Sequence, residues 1–251
     1  MHIVRVHYLE AKYEFLKLLR QPAYALPTLA FPIIFYLFFG IGFGKRDVAQ
    51  GVQIATYLLA TYGAFGVMGA ALFGFGVGVA IERGQGWLEV KRTTPMPISA
   101  YFIAKIAMAM LFGAIIVTSL FAIGTAFGGV SLTIAQFFSL FGILVSGSIV
   151  FCALGLAIGC FAKPNSAAPI VNLIYLPLSF LSGLWVPVWA LPKPVQTLAL
   201  WLPPYHLSQL ALKIIGASRG QSPLFHIGAL AIAAAIFTAI AAIGFRRGEP
   251  S

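Results

Sequence analysis

Charged side chains are scarce in this chain of 251 residues: they make up 9% of the sequence, whereas hydrophobic residues make up 60%. A balance of that kind excludes an ordinary soluble domain. The net charge of +10 does not indicate nucleic-acid binding, because the lysines and arginines are confined to short loops and to the ends of the chain. The sequence therefore predicts an integral membrane protein.

Carboxylates are scarcer still, since the chain has six and none lies in the middle of an apolar run. Transporters driven by protons or sodium usually place an ionisable group at membrane depth, so its lack disfavours ion coupling, although backbone carbonyls alone could coordinate sodium. The four histidines have no acidic or cysteine neighbour at ligand spacing, and no nucleophile elbow or Gly-Lys-Ser/Thr phosphate loop occurs. We therefore expect no metal site, no catalytic site and no bound cofactor in this chain.

Six apolar runs are each long enough to cross a hydrocarbon core of about 30 Å at about 1.5 Å per residue. They cover residues 24–44, 54–81, 106–127, 136–162, 167–188 and 224–245. Residues 3–20 precede them and place apolar and charged side chains on opposite sides of a helix, which predicts an amphipathic helix lying on the membrane surface. The expected fold is a single all-α transmembrane domain over residues 1–251.

Lysine and arginine are unevenly distributed between the two sets of loops. Eleven of the sixteen lie in the N-terminal helix, the 82–105 segment, the 163–166 turn and the C-terminal tail, and five lie in the alternate loops. Positive charge concentrates on the cytoplasmic side of membrane proteins. Both termini and the 82–105 segment are therefore predicted to be cytoplasmic.

Small residues recur every four positions in the second run, at Ala70, Gly74 and Gly78. This spacing lets helix backbones approach closely, so it predicts helix packing or a subunit interface. The outward loop 189–223 is rich in proline and tryptophan and contains two apolar stretches that are too short to cross a membrane. We expect a helical hairpin there that lies at the outer interface or re-enters the membrane.

The segment 82–105 is the longest charged interruption between apolar runs. It is polar, it can form a helix, and spans on both sides hold it at the membrane surface. Such a segment is a natural docking surface for a soluble partner. The alternative is that this segment is a solvent-exposed loop with no binding role. That alternative does not account for Trp87 among alternating charges.

Residues 82–97 read Glu-Arg-Gly-Gln-Gly-Trp-Leu-Glu-Val-Lys-Arg-Thr-Thr-Pro-Met-Pro and are followed by Lys105. They closely resemble the cytoplasmic connection between spans two and three in ABC-transporter permeases of the daunorubicin, polysaccharide and O-antigen exporter type. That pattern is approximately Glu-Arg-Glu-x-Gly-Thr-Leu-Glu, a short basic stretch, Thr-Pro-Leu and a helix ending in Gly-Lys. Gly84, Trp87 and Ala104 depart from it, which leaves the details of the partner's contact open.

A second match lies after the fifth run, where residues 180–187 read Phe-Leu-Ser-Gly-Leu-Trp-Val-Pro. Together with Leu191-Pro192 and Pro204-Tyr205-His206-Leu207, this stretch is similar to the outer re-entrant hairpin of the same family. The hairpin residues singled out by the match are Ser182, Gly183, Pro187, Pro192 and Pro204.

The resemblance implies a permease subunit of an ATP-driven exporter in the cytoplasmic membrane. It implies a homodimer or pseudo-dimer bound to two cytoplasmic ATPase subunits, which would bind ATP and Mg²⁺. A helix over residues 82–92 would be the coupling helix that enters a groove on the ATPase. The docking residues so implied are Glu82, Arg83, Gln85, Gly86, Trp87, Leu88, Glu89, Lys91, Arg92, Thr94 and Pro95.

The substrate class is less constrained. Few polar groups lie in the spans and the outer loop is short and aromatic, which favours a hydrophobic or amphipathic molecule, whether drug-like, lipid-linked or a glycan. Two alternatives stay open at this point: an ATP-independent channel or ion-coupled transporter, and a membrane assembly factor without transport activity.

Overall fold

The computed structural model describes residues 2–43, 47–49, 51–94, 96–218 and 220–247, and these residues are almost entirely helical. The helices are α1 (His2–Leu19), α2 (Pro22–Phe35), α3 (Ile54–Ala71), α4 (Gly78–Gly84), α5 (Trp87–Thr93), α6 (Ile98–Phe127), α7 (Ile134–Phe161), α8 (Pro164–Leu181), α9 (Lys193–Ala199), α10 (Pro203–Ile214) and α11 (Pro223–Arg247). A short antiparallel hairpin of β1 (Asp47–Ala49) and β2 (Val52–Gln53) joins α2 to α3.

Two helices contain a π-helical stretch, in which the backbone hydrogen bonds span five residues rather than four. The first, Tyr36–Ile41, extends α2, and the second, Leu72–Val77, joins α3 to α4 without a break. The second carries Gly74 and Gly76, which tolerate the local widening because they have no side chain to displace. Spans one and two are therefore continuous rods with one widened turn each.

Five helices are long and apolar enough to cross a membrane. They are Pro22–Ile41, Ile54–Gly84, Ile98–Phe127, Ile134–Phe161 and Pro223–Phe245, and they coincide with five of the six predicted runs. The second of these is the most enclosed, because almost every side chain of α3 is buried. The bundle is therefore built around α3, which packs against α2, α6, α7 and α10.

The fifth predicted run, 167–188, is not among these five helices, and the helix in that region, α8, covers only Pro164–Leu181. Helix α8 ends at Leu181, and Gly183 then adopts a positive φ of 75°, which turns the chain. Three prolines, two asparagines and two serines also lower the mean hydropathy of α8 below that of the five spanning helices. After the turn, Trp185 packs against Phe35 and Phe65, inside the bundle.

The outer hairpin follows α8 and packs lengthwise into the bundle. The Ile214 carbonyl at the end of α10 accepts a hydrogen bond from Gln136, at the start of α7. Near the other end of α10, Leu207 lies against Gly147, which is eleven residues, or about 16 Å, further along α7. Helix α10 therefore runs beside α7 instead of across its end.

Helix α1 packs along α6. Its inward face carries Glu14, Phe15 and Leu18. The centre of the Phe15 ring lies 5.3 Å from the centre of the Phe112 ring. Glu14, expected on the water-facing side, is instead buried. The reason is that α6 presents a buried cation, Lys105, for it to pair with.

Both described ends of the chain lie at one end of the bundle. Lys17 of α1 contacts Glu82 of α4, and Phe245 of α11 packs against Phe102 of α6 with ring centres 5.9 Å apart. The β hairpin, the α6–α7 connection and the outer hairpin lie at the opposite end. The segment after α4 therefore shares its end of the bundle with α1 and with the end of α11.

Candidate functional site

The segment between spans two and three consists of two helices separated by a tight break. Helix α4 ends at Gly84, and Gly86 has a positive φ of 75°, a backbone conformation that favours glycine. The Gly86 carbonyl then accepts hydrogen bonds from the amides of Glu89 and Val90, which starts α5. The prediction of one helix over residues 82–92 is therefore wrong, because Glu82 and Arg83 belong to the end of span two.

Arg83 fastens this break to the end of span four. Its guanidinium donates to the carbonyl of Cys160 and, at 2.9 Å, to that of Ala162. These carbonyls lie at the carboxyl end of α7, where helix carbonyls lack partners and a positive charge is favoured. The start of the segment is therefore held against both α4 and α7.

A buried ionic cluster, which we call the α1 cluster, lies beside the break. It consists of Glu14, Lys17, Glu82, Tyr101 and Lys105. The Lys105 ammonium lies 2.6 Å from Glu14 Oε1 and 3.1 Å from Glu82 Oε1, and the Tyr101 hydroxyl donates to Glu82 Oε2 at 2.6 Å. Because each carboxylate has several partners, the cost of burying these charges is offset.

Lys17 completes the cluster from its exposed side. Its ammonium lies 2.7 Å from Glu14 Oε2 and 2.6 Å from Glu82 Oε1. Partial burial by itself would lower the pKa of Lys17, but the two carboxylates outweigh burial and raise the pKa above its ordinary value. Lys17 therefore stays charged, and the cluster joins α1, α4 and α6.

Helix α5 is tied to α1 by its own ion pair. The Lys91 ammonium donates to Glu10 Oε1 and also lies 4.8 Å from the centre of the Tyr101 ring. Leu88 turns inward and is 7% exposed. One side of α5 is therefore fixed against the protein.

The opposite side of α5 is uncovered. Trp87 and Val90, three residues apart and so on one face of the helix, are each 53% exposed, and Gln85 and Glu89 lie beside them. A groove of about 600 Å³ runs between this face and α1, lined by Tyr13 and Trp87 together with the acidic and basic groups of the two helices. The surface thus combines exposed apolar anchors with charges.

Thr94 ends α5 at the end of the segment. The Thr94 hydroxyl donates to the Lys91 carbonyl at 2.7 Å, and the Thr94 backbone leaves the helix in an extended conformation. Arg92 lies within α5, but its side chain is outside what the structure describes, as is the whole of Pro95. Helix α6 then begins at Ile98.

The small residues of span two contact neighbours in the same chain. The Ala70 carbonyl accepts a hydrogen bond from the Tyr24 hydroxyl, and a Cβ atom on Gly74 would lie 2.8 Å from that hydroxyl. A Cβ atom on Gly78 would lie 3.5 Å from Lys105 Nζ. Their face of span two therefore meets α2 and α6 of the same chain.

The predicted hairpin residues shape the outer turns. Gly183 has a positive φ, and a Cβ atom there would lie 2.1 Å from the Val188 side chain. Pro187 and Pro192 precede the Val188–Ala190 turn and α9, while Pro204 is buried in the first turn of α10. Ser182 is buried, and its hydroxyl has no hydrogen-bond partner within the described part of the chain.

A second cavity, of about 470 Å³, opens on the side of the bundle between α2, the second π-helical stretch and α8. We call it the lateral cavity. Its walls are mainly apolar and aromatic, with Phe31 and Leu176 among them, and Thr28 and Asn172 provide polar groups. None of its lining residues in the described chain is charged. Within the same described residues, no three His, Cys, Asp or Glu side chains are grouped so as to hold a metal ion.

Sequence reasoning missed that α1 supplies two of the five residues of the α1 cluster, Glu14 and Lys17. Glu10 and Glu14 are two of the six carboxylates and lie one helical turn apart, yet they were assigned to a water-facing side. A usable signal was present in Lys105, which lies next to an apolar run and therefore needs a partner. The nearest acids in sequence are Glu89 and Glu82, so the contribution of α1 depends on tertiary packing.

Five membrane-length helices around a cavity define a multi-pass membrane protein. Residues 8–215 match the family described as ABC-2 type transporter, and the chain belongs to that family. It is also similar to a Bacillus subtilis (strain 168) protein named "Putative transport permease YvfS", with 30% identity over 210 residues, or 84% of each chain.

Proposed function

We propose that this chain is the transmembrane subunit of an ATP-driven exporter and that its ATPase docks on the uncovered face of α5. ABC-2 permeases generally work with ATPase subunits. The observation that carries the proposal is the exposure of Trp87 and Val90 on a short helix whose other side is fixed by Leu88 and Lys91. Exposed aromatic anchors on a rigid support are typical of protein interfaces.

The contacts within the chain reduce the number of residues that are proposed to touch the ATPase. Glu82, Arg83 and Lys91 pair within the protein, so their part in docking is to hold α5 in position. Gln85, Trp87, Glu89 and Val90 are left to meet the partner. The groove beside α1 offers the partner a concave surface in which a side chain can be buried.

The same contacts offer a route from the ATPase to the spans. A displacement of α5 pulls directly on α1 through Glu10 and on α6 through Tyr101. It reaches α7 through the end of α4, where Arg83 is bound to the α7 carbonyls. Since packed helices move as rigid bodies, two ATPase subunits that close on ATP and Mg²⁺ would shift these spans together. ATP and Mg²⁺ are bound by the ATPase in this scheme, and both ends of the permease chain are cytoplasmic.

The substrate path is proposed to form where the lateral cavities of two permease copies meet. The cavity opens to the side of the bundle, and its walls combine aromatic and aliphatic side chains with the uncharged polar groups of Thr28 and Asn172. Such a lining suits a hydrophobic or amphipathic molecule whose polar part is satisfied by a few hydrogen bonds. A homodimer in the cytoplasmic membrane with two ATPase subunits completes the proposed transporter.

The docking role is tested with the double substitution Trp87→Ala and Glu89→Lys. The permease is co-expressed with the tagged ABC ATPase subunit encoded nearest to it, and recovery of the permease with the tag is measured. Losing a tryptophan anchor costs about 2 kcal/mol or more, so recovery should fall by about thirtyfold. The matched control is Trp201→Ala, an exposed tryptophan at the opposite end of the bundle, which should leave recovery unchanged.

Retained binding and transport in the Trp87→Ala, Glu89→Lys variant would remove α5 from its proposed role. The wider proposal has a separate test in sealed vesicles. Transport of a fluorescent amphipathic dye by the permease alone, with no dependence on ATP or on the ATPase, would favour a self-contained channel or ion-coupled transporter instead.

A further inference from the structure

Two histidines that are far apart in sequence meet at the end of the bundle opposite the docking segment. His206 lies on α10 and His226 on the first turn of α11, and their Nδ1 atoms are 2.9 Å apart. Both side chains are buried, with 3% and 0% exposure. Neither belongs to the docking surface or to the lateral cavity.

The hydrogen bonds fix which nitrogen of each ring carries the proton. His206 Nε2 lies 3.0 Å from the Leu200 carbonyl, which can only accept, so His206 donates from Nε2 and its Nδ1 is an acceptor. His226 must then donate from Nδ1 to His206 Nδ1. The Nε2 atom of His226 is consequently a bare acceptor, and it is buried without a partner among the described residues.

Protonation is incompatible with this arrangement. A proton added to His206 would place N–H groups on both Nδ1 atoms, which would repel at 2.9 Å. A proton added to His226 would place a buried charge and an unpaired donor at Nε2. Burial lowers the pKa of His206, and the hydrogen bond to Leu200 offsets this only in part.

Within the described residues, the helices around the pair, α3, α7, α10 and α11, carry no Asp or Glu. Lys213, on the same helix as His206, is the basic side chain that acts on the pair, and it adds positive charge there. Tyr205 packs against both rings, and α3 brings Tyr57 to the same end of the bundle. The described parts of α3 and α7 carry no Asp, Glu, Lys or Arg, and the only other titratable groups of α7 are its two cysteine thiols.

We propose that His206 and His226 form a proton-operated latch that holds α10 to the last span. The latch is closed while both rings are neutral and opens when either ring takes up a proton. Its contribution is fully present above the pKa of an exposed imidazole, about 6.5, and is lost as the pH falls below that value. The outer hairpin would thereby loosen in acid without any change at the docking face.

Hydrogen exchange of the full chain in lipid nanodiscs tests the latch, read by mass spectrometry on peptides that cover α10. After correction for the intrinsic pH dependence of exchange, α10 amides should exchange at least tenfold faster at pH 5 than at pH 7.5. Substituting both residues, His206→Phe with His226→Phe, should reduce that ratio to less than twofold. The control His7→Phe, on α1, should keep the wild-type ratio.

A second measurement tests the latch even if the double variant does not fold. Nitrogen-15 spectra of the histidine-labelled wild-type chain should show one Nε2–H and one Nδ1–H neutral tautomer for the pair and a loss of both on acidification. The single variant His226→Gln should keep the fold and a smaller pH response of α10, because His206 alone can still take up a proton. A response of wild-type size in the double or the single variant, or its absence in the wild-type chain, would overturn the proposal.

Discussion

The ammonium of Lys105 lies 2.6 Å from the carboxylate of Glu14, and both side chains are almost fully buried. This pair joins the third span to the helix that precedes the first span. Because Glu82 lies 3.1 Å from the same ammonium, one cation holds α1, α4 and α6 together. The cluster lies directly beside α5, so these ionic contacts stabilise the position of the proposed docking face.

The substitution Lys105→Met tests this stabilisation. It removes the cation and leaves two buried carboxylates with Lys17 as their remaining cation, which should lower the free energy of unfolding by about 3–5 kcal/mol. The measurement is chemical denaturation in mixed detergent micelles. Lys12→Met, on the exposed face of α1, is the matched control and should change stability by less than about 0.5 kcal/mol. Equal effects of the two substitutions would contradict the assignment.

Arg83 offers a test that separates docking from transmission. Lysine keeps the charge but lacks the planar fork that donates to the Cys160 and Ala162 carbonyls together, so Arg83→Lys should loosen the end of α4 from α7. Losing one charge-assisted hydrogen bond costs about 1.5 kcal/mol or more, so ATP-dependent transport should fall roughly tenfold. Recovery of the ATPase should stay near the wild-type level, since Trp87 and Val90 are untouched.

Arg20→Lys, an exposed arginine at the end of α1, is the control for Arg83→Lys and should leave transport unchanged. If Arg83→Lys instead abolishes recovery of the ATPase, Arg83 touches the partner, and the division between positioning and contacting residues is incorrect.

Spans two and four cross at a pair of glycines, which gives a prediction with a control on the same helix. A Cβ atom on Gly155 would lie 3.1 Å from the Gly76 amide nitrogen and 3.2 Å from the Ala71 carbonyl oxygen. Backbone atoms cannot move aside, so Gly155→Ala should cost about 1–3 kcal/mol. Gly142→Ala, which meets nothing within 4 Å, should be neutral or stabilising. The denaturation midpoints of the two variants are compared with that of the wild-type chain. A loss of stability of equal size in both variants would argue against the close crossing of spans two and four.

Sequence patterns predicted most of the fold because a membrane span leaves a strong signal in apolar length alone. Five runs coincide with helices such as Ile134–Phe161. The fifth run was overextended because Gly183 sits in apolar sequence, and apolar length does not register a turn made by a positive φ. The same limit applies to Gly86, which splits the docking segment.

The docking segment was located from sequence, but its contacts were not. Alternating charges between Glu82 and Arg92 identify a polar surface, whereas which charges face a partner depends on where α1 lies. That position is fixed by the pairing of Lys105 with Glu14, two residues 91 positions apart in the chain. No local pattern encodes such a pairing, and the same holds for His206 and His226.

If two copies of the chain form the proposed homodimer, the face of α8 beside the lateral cavity should lie at the contact between them. In a twofold dimer, residues near the axis meet their own copies, and a disulfide forms when their Cα atoms come within about 7 Å. Leu173 is the most exposed large apolar residue of α8, and Ile236 is a comparable residue on α11. With the native thiols removed by Cys152→Ala and Cys160→Ala, Leu173→Cys should give a covalent dimer on mild oxidation in membranes. Ile236→Cys should remain monomeric on denaturing gels, and cross-linking there in place of position 173 would move the dimer contact from α8 to α11.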